Sequence, residues 1–342
     1  MLVVRLQRRL VLVVVALLGS MLLLGGQTPA RAVADPGPRP TVRVQVLIFD
    51  PVLHSHGSGR LSDYFGWGDP DHITSDLIAR LASVSQGDAT YAVVDRQEID
   101  EWPVLADGFA YDESSWFACW SDHSTCHDPW QVDYLRILRQ HDSCSLRNQG
   151  AIDEVWLWGG PFFGYWESTL TGPGAFPVNS PPLAGSSCQA LLPIMGFNYE
   201  RTIAEAMHSY GHRIESVMDF VYGYAPDSPW RQFSTYDLQS PGKAGCGSVH
   251  FPPNAAEDYD YSNSSVVPSD CADWSAWPTP PSHFVPVSCA TWGCDEVGYL
   301  TWWMAHLPHA KGRTDRIDNN WWNYILIQTR KTRDTWKRLL HG

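Results

Sequence analysis

Positive charge is scarce in this sequence. Lys and Arg total 24 against 37 Asp and Glu among 342 residues, a formal net charge of −13. Four of the cations, Arg5, Arg8, Arg9 and Arg31, fall within the first 34 residues, which hold no acid. The remainder carries 20 cations against 37 acids, a balance of −17. So acidic a surface repels phosphate backbones, which excludes sequence-independent binding of nucleic acid. Long apolar runs are missing too, since nothing beyond residue 34 approaches the roughly 20 residues of a membrane-spanning helix. No Gly-x-Gly-x-x-Gly follows a strand-like run, which argues against a dinucleotide site. No Gly-x-Ser-x-Gly elbow supports a serine nucleophile. No Cys-x-x-Cys pair supports a thiolate zinc site. There is no internal repeat.

What is present points first to a compartment. Residues 1–34 read as a signal peptide: a basic start at Arg5, Arg8 and Arg9, an uncharged run from Leu10 to Gly26, then small-x-small sites around Ala30, Ala32 and Ala34. A Pro-rich leader occupies 35–40. All eight cysteines lie after it, an even number that reads as up to four disulfides in an oxidising compartment. The short loops Cys119–Cys126 and Cys289–Cys294 are the pairings expected from spacing. The expected location is secreted and extracellular, with no stable membrane span once the signal is cleaved.

Residues 41–342 read as one α/β domain, a core over 41–224 and a loop-rich layer with C-terminal helices over 225–342. Apolar or alternating runs predict strands at Thr41–Phe49, Thr90–Val94, Ala151–Trp158 and Leu191–Phe197. Helical spacing appears over His72–Ser85, Tyr134–Gln140, Asn198–Tyr222, Val297–Leu307 and Asn319–Leu340, the last of these basic at Arg330, Lys331, Arg333, Lys337 and Arg338. Strands alternating with helices imply a largely parallel sheet with flanking helices. Residues 225–294 are rich in Pro, Ser, Asn, Asp and Trp and hold four cysteines, which implies an irregular, disulfide-pinned layer.

In a parallel sheet, ligands bind beyond the carboxyl ends of the strands. Those ends offer Asp50 and the loop His54-Ser55-His56, then Tyr165, Trp166 and Glu167 after Gly159-Gly160-Pro161, then Asn198, Glu200 and Arg201. At 100° per residue the following helix gathers Asn198, Arg201, Glu205, His208, His212 and Glu215 into one stripe. Ile203, Met207, Tyr210, Ile214, Val217 and Val221 fill the opposite side. Histidines four apart can share one ion, and His212-x-x-Glu215 adds a carboxylate. His250, in a Pro-rich loop beside the acidic run Glu257, Asp258, Tyr259 and Asp260, offers a distant further ligand. The same stripe also fits the ordinary polar face of an amphipathic helix, and Thr202-x-x-Glu205 fits a capping box.

Aromatic residues form a second signal. The 17 Trp all follow residue 34, several in irregular stretches, among them Trp116, Trp120, Trp130, Trp166, Trp274, Trp277, Trp292, Trp321 and Trp322. Flat rings beside carboxylates and amides stack on sugar faces, though core filling is the commoner use of Trp. The segments Gly196–Arg201, Gly211–Glu215, His250–Asn254 and Asn319–Trp322 resemble an uncharacterised family of secreted bacterial proteins. That resemblance implies export and carries no activity.

Three functions fit these residues. The leading expectation is a secreted hydrolase of extracellular polysaccharide or cell-wall glycan, needing no cofactor. It would act by carboxylate acid/base catalysis with Glu200, Glu205 and Glu167 assisted by His212, and Asn198, Arg201, Tyr165, Trp166 and His250 would bind substrate. The alternative is a zinc-dependent peptidase, amidase or deacetylase with His208, His212, Glu215 and His250 at the metal. A third is a non-catalytic glycan-binding protein.

Overall fold

Val42–Phe49 (β1) is buried at nearly every position, even at Gln45, and a strand buried on both faces needs cover on both sides. It receives it. In the computed structural model, which describes residues 41–223 and 225–327, β1 lies inside a five-stranded sheet with helices on each face. The elements run β1, α1 (Leu61–Phe65), α2 (Pro70–Val84), β2 (Tyr91–Ile99), α3 (Glu113–Ser121), α4 (Tyr134–Gln140), α5 (Ser143–Gln149), β3 (Glu154–Gly159), β4 (Ser168–Thr171), β5 (Leu192–Asn198) and α6 (Ile203–Tyr222). Then follow α7 (Pro229–Phe233), the short strands β6 (Val267–Ser269) and β7 (Val285–Val287), α8 (Glu296–Ala305), the hairpin β8 (His309–Thr314) and β9 (Ile317–Asn320), and α9 (Trp322–Ile325). The expected signal peptide and leader, and the basic residues from Arg330 onward, lie outside the described residues.

The strand order is β2-β1-β3-β5-β4, parallel throughout except for β4, which runs antiparallel to β5 at the edge. Period-2 alternation divides the core. Val44, Val46, Ile48, Trp156, Trp158, Met195 and Phe197 pack with residues of α2, α6, α8 and α9. Leu47, Phe49, Val155, Leu157 and Ile194 face the other way, onto α3, α4 and α5. No helix among the described residues is long and apolar enough to cross a membrane.

Helix α6 matters most for the site, and its packing fixes which side turns inward. Met207, Tyr210, Ile214, Val217 and Val221 are buried, as the spacing predicts, each worth about 1.5–3 kcal/mol. Beneath them Arg213 is buried with Glu154 of β3, its two terminal nitrogens donating to the two carboxylate oxygens at 2.8 and 2.7 Å. Arg213 also donates to the Ile325 carbonyl, so the pair ties α6 to β3 and α9, and Trp156 Nε1 of the same strand donates to Glu154. Removing one member of such a pair strands a charge in the interior. Glu154→Gln is therefore expected to lower the unfolding free energy by about 3–5 kcal/mol, read from urea denaturation against wild type.

Four disulfides form, and no cysteine is left free among the described residues. Cys119–Cys126 and Cys289–Cys294 match the expected pairings, and Cys144–Cys188 and Cys246–Cys271 complete the set. Two of them pin the irregular 225–294 layer. Such bonding belongs to an oxidising, non-cytoplasmic compartment. Two expectations about elements fail. Helix α6 begins at Ile203, with Thr202 Oγ1 accepting from the Ala204 amide, so Asn198 ends β5 and Arg201 lies in the turn before the helix. The expected helix from Asn319 is instead the end of the β8–β9 hairpin followed by the single turn α9, because Asp315 and Arg316 adopt left-handed backbone and close a tight turn.

Candidate metal centre and adjoining cleft

His208 and His212 stand one turn apart on α6, on the side away from the sheet. His250 meets them from the irregular layer, and the close fit of that layer explains how. Gly211 leaves room for Val249: a Cβ there would sit 2.7 Å from the Val249 side chain. One oxygen of Glu215 accepts from the Val249 amide at 2.8 Å, and the Tyr261 hydroxyl donates to the Val249 carbonyl. Tyr299 and Trp303 of α8 donate to the carbonyls of Ser248 and Gly247. The Cys246–Cys271 bond holds the start of the same loop.

The three Nε2 atoms converge. His208 to His250 is 3.1 Å, and His212 lies 3.0 Å from each of the other two. Every Nδ1 meanwhile faces a carboxylate: His208 with Glu296 at 2.9 Å, His212 with Glu215 at 2.9 Å, and His250 with Asp258 at 3.0 Å. An ionised carboxylate only accepts, so each Nδ1 carries the proton and each Nε2 of a neutral ring presents a lone pair. Three lone pairs then point at one small space. His208 is 4% exposed, so water cannot relieve them all. Full protonation is also opposed: burial and the neighbouring His212 and His208 push the His250 pKa down. On His212 burial acts the same way, but the carboxylates of Glu215, Glu167 and Glu205 outweigh it and raise that pKa.

A cation seated between the three nitrogens would resolve this arrangement. Zinc takes imidazole nitrogens at about 2.0–2.1 Å, which sets them roughly 3–3.4 Å from one another, and ligand histidines usually give their second nitrogen to a carboxylate. The three residues match in donor type, spacing and outer partners, and they form the one His/Cys/Asp/Glu group with metal-binding spacing among the described residues. Neither a family model, nor a curated protein, nor a solved structure matches the chain. The reading of the site rests on its geometry.

Glu167 stands next to the three rings, its Oε2 3.9 Å from His212 Nε2. The segment carrying it lies tight against β5: a Cβ on Gly196 would meet the Trp166 carbonyl at 2.3 Å, and the Gly196 amide donates to the Glu167 carbonyl. Asn179 donates to Glu167 Oε2 at 2.8 Å and fixes its orientation. Burial raises the Glu167 pKa against the pull of His212 and His208. From Glu167 a cleft of about 330 Å³ runs past Asn198 and Glu205, over the Gly160–Tyr165 turn, to Tyr111, His127 and Trp130. It lies beyond the carboxyl ends of β3 and β5, where a parallel sheet leaves room.

The remaining expected residues divide. Asn198, Glu205, Glu167 and Tyr165 line the cleft. Glu215 is not among the converging ligands, because one of its oxygens takes His212 Nδ1 and the other the Val249 amide. Glu200 and Glu205 both engage Arg201, at 3.6 and 2.8 Å. Trp166 stands behind Trp130 at 4.9 Å and is not itself part of the cleft wall. Asp50 is enclosed by Ser62 and the Tyr199 hydroxyl, and His56 pairs with Glu113 away from the cluster. Most tryptophans fill the core, Trp116, Trp156, Trp158, Trp230, Trp274, Trp303, Trp321 and Trp322 among them. Glu296 and Asn179 escaped the sequence reading, since neither lies near a histidine in the chain. Asp258 lay in the acidic run already noted, without an assigned role.

The outer carboxylates give a graded test. Asp258→Asn keeps the shape of the side chain and removes its charge from His250. Zinc affinity is expected to fall about 10–100-fold, measured by competition with a chromophoric chelator, while the unfolding midpoint of the metal-free protein stays unchanged.

Proposed function

We propose that this protein is a zinc-dependent hydrolase, secreted from the cell, that cleaves an acyl bond of the amide or ester type. The observation that carries this reading is the meeting of three Nε2 lone pairs within 3.1 Å, each ring committed through Nδ1 to its own carboxylate. His208, His212 and His250 would hold the ion, and bound zinc would supply polarisation of a carbonyl oxygen and a water made acidic near neutral pH. Glu167, aligned by Asn179 and raised in pKa by burial, takes the proton from the attacking water and returns it to the leaving group. Asn198 and Glu205 form the polar side of the entrance, with Arg201 holding Glu205 in place.

This reading has firmer support than the carboxylate-pair glycosidase. Acetal cleavage needs a proton donor and a second carboxylate facing each other across the bond, whereas Glu200 and Glu205 are turned to one guanidinium. The test is metal analysis joined to a hydrolysis assay. Purified protein is expected to hold about one zinc per chain and to hydrolyse activated esters or anilides, losing turnover to a chelator and regaining it with zinc. Protein without stoichiometric metal, hydrolysing at the same rate with and without chelator, would overturn the proposal.

A further inference from the structure

Resting on the metal-hydrolase reading, we infer that the substrate is an uncharged acylated polysaccharide, whose sugar ring lies against Trp130 while its acyl group reaches the three histidines. Three observations carry this.

Among the described residues, the cleft that leaves Glu167 has no Lys or Arg in its wall, and its charged members near the histidines are the carboxylates Glu167 and Glu205. That wall offers a uronate or phosphate polymer no lysine or arginine to pair with. Its far end is aromatic. Trp130 is 45% exposed, an unusual state in a chain that buries most of its indoles, and its edge is braced by Trp166 at 63° so that the ring is held in position. Phe162, which lines the same cleft, sits in left-handed backbone that costs a non-glycine residue on the order of 1 kcal/mol. A flat, rigid, partly exposed ring is what the apolar face of a pyranose needs. The volume of about 330 Å³ lies at the small end of ligand pockets and accommodates about two sugar rings.

The third observation separates a sugar from a peptide. Extended peptides are commonly held by pairing with a free strand edge. The edge strand next to Glu167 is β4, and it is closed: Leu183 donates to Leu170, the Thr171 hydroxyl donates to Leu183, and β4 is buried along its whole length. Among the described residues, β4 leaves no open backbone row beside the base.

The reaction balances with water alone. The water oxygen bonds to the acyl carbon, the carbon–nitrogen or carbon–oxygen bond breaks, and the proton held at Glu167 passes to the departing nitrogen or oxygen. The products are a carboxylic acid and a sugar amine or alcohol.

The experiment uses zinc-loaded protein with N-acetylated chitooligosaccharides, O-acetylated xylan and a mixed peptide library, following acetate and new amino termini. Glu167→Gln serves in parallel for equilibrium binding by tryptophan fluorescence. Acetate release from chitooligosaccharide marks an amide substrate and release from xylan an ester; either supports the inference. Trp130→Ala is then expected to raise KM about tenfold, the loss of one stacking contact of about 1–1.5 kcal/mol, with a smaller change in kcat. The same substitution added to Glu167→Gln is expected to weaken oligosaccharide binding about tenfold, and Trp130→Phe to restore most of it. Cleavage of peptides with no binding or deacylation of either polysaccharide overturns the substrate class and leaves the metal hydrolase standing. Absence of bound zinc, with no acyl substrate turned over, overturns the underlying reading and the inference with it.

Discussion

His212→Ala is expected to reduce bound zinc from about one per chain to a trace and to lower turnover at least a thousandfold, the equivalent of about 4 kcal/mol of transition-state stabilisation. His212 is the ring at the centre of the convergence, 3.0 Å from both other Nε2 atoms and nearest to Glu167. With it gone, two histidines remain on different elements, and two imidazoles do not complete a zinc site. The fold tolerates the change, because the inward residues of α6 and the Glu154–Arg213 pair are untouched. Elemental analysis and chelator competition on the variant, beside an unchanged far-UV spectrum, check the outcome. A variant that retains stoichiometric zinc would show that the ion sits elsewhere.

Glu167→Gln is expected to behave in the opposite way. Zinc stays bound, because Glu167 lies outside the converging nitrogens, while kcat falls by about 10²–10⁴, the usual contribution of a positioned general base. Glutamine keeps the length of the side chain and an oxygen for Asn179 to donate to, so the geometry survives and only proton acceptance is lost. The two variants together separate holding the metal from moving the proton. Turnover within threefold of wild type in Glu167→Gln would remove this residue from the mechanism.

Much of the fold was legible because its elements have strong periods. β1 alternates and then turns apolar, β5 is largely apolar, and α2 and α6 repeat at helical spacing, so their type and place follow from periodicity and burial. α3 and α5 were missed. α3 reads as ESSWFACWS with Trp116 and Cys119 buried, and α5 as SCSLRNQ, entered from an Asp142 in left-handed backbone that makes no side-chain cap, so neither shows a clear stripe. The hairpin of β8 and β9 has no alternation to read, since it carries polar residues on both faces.

The candidate site was legible in the same uneven way. Spacing of four along α6 placed His208 and His212 together, and that follows from helix geometry. His250 was named from its loop composition, yet only packing of Val249 against Gly211 shows that it arrives at the same point. Glu215 was expected as a ligand because i, i+3 spacing brings it near His212. It does come near, but to the other nitrogen. Periodicity identifies neighbours and is silent on which atom of a ring they address. Glu296 lies 88 residues from His208 and joins it through the start of α8, a long-range encounter with no local trace.

The disulfide that begins four residues before His250 has a consequence for when the site comes into being. Cys246–Cys271 closes a loop of 25 residues, and such closure restricts the unfolded chain by roughly 3–4 kcal/mol. A reduced chain would carry two histidines ready on a helix and the third on an untethered segment. Capture of the ion would then follow oxidation rather than precede it, and a newly made chain would stay inert in the reducing interior of the producing cell. Formation of this bond in an oxidising compartment would thus be the step that brings the third histidine to the other two.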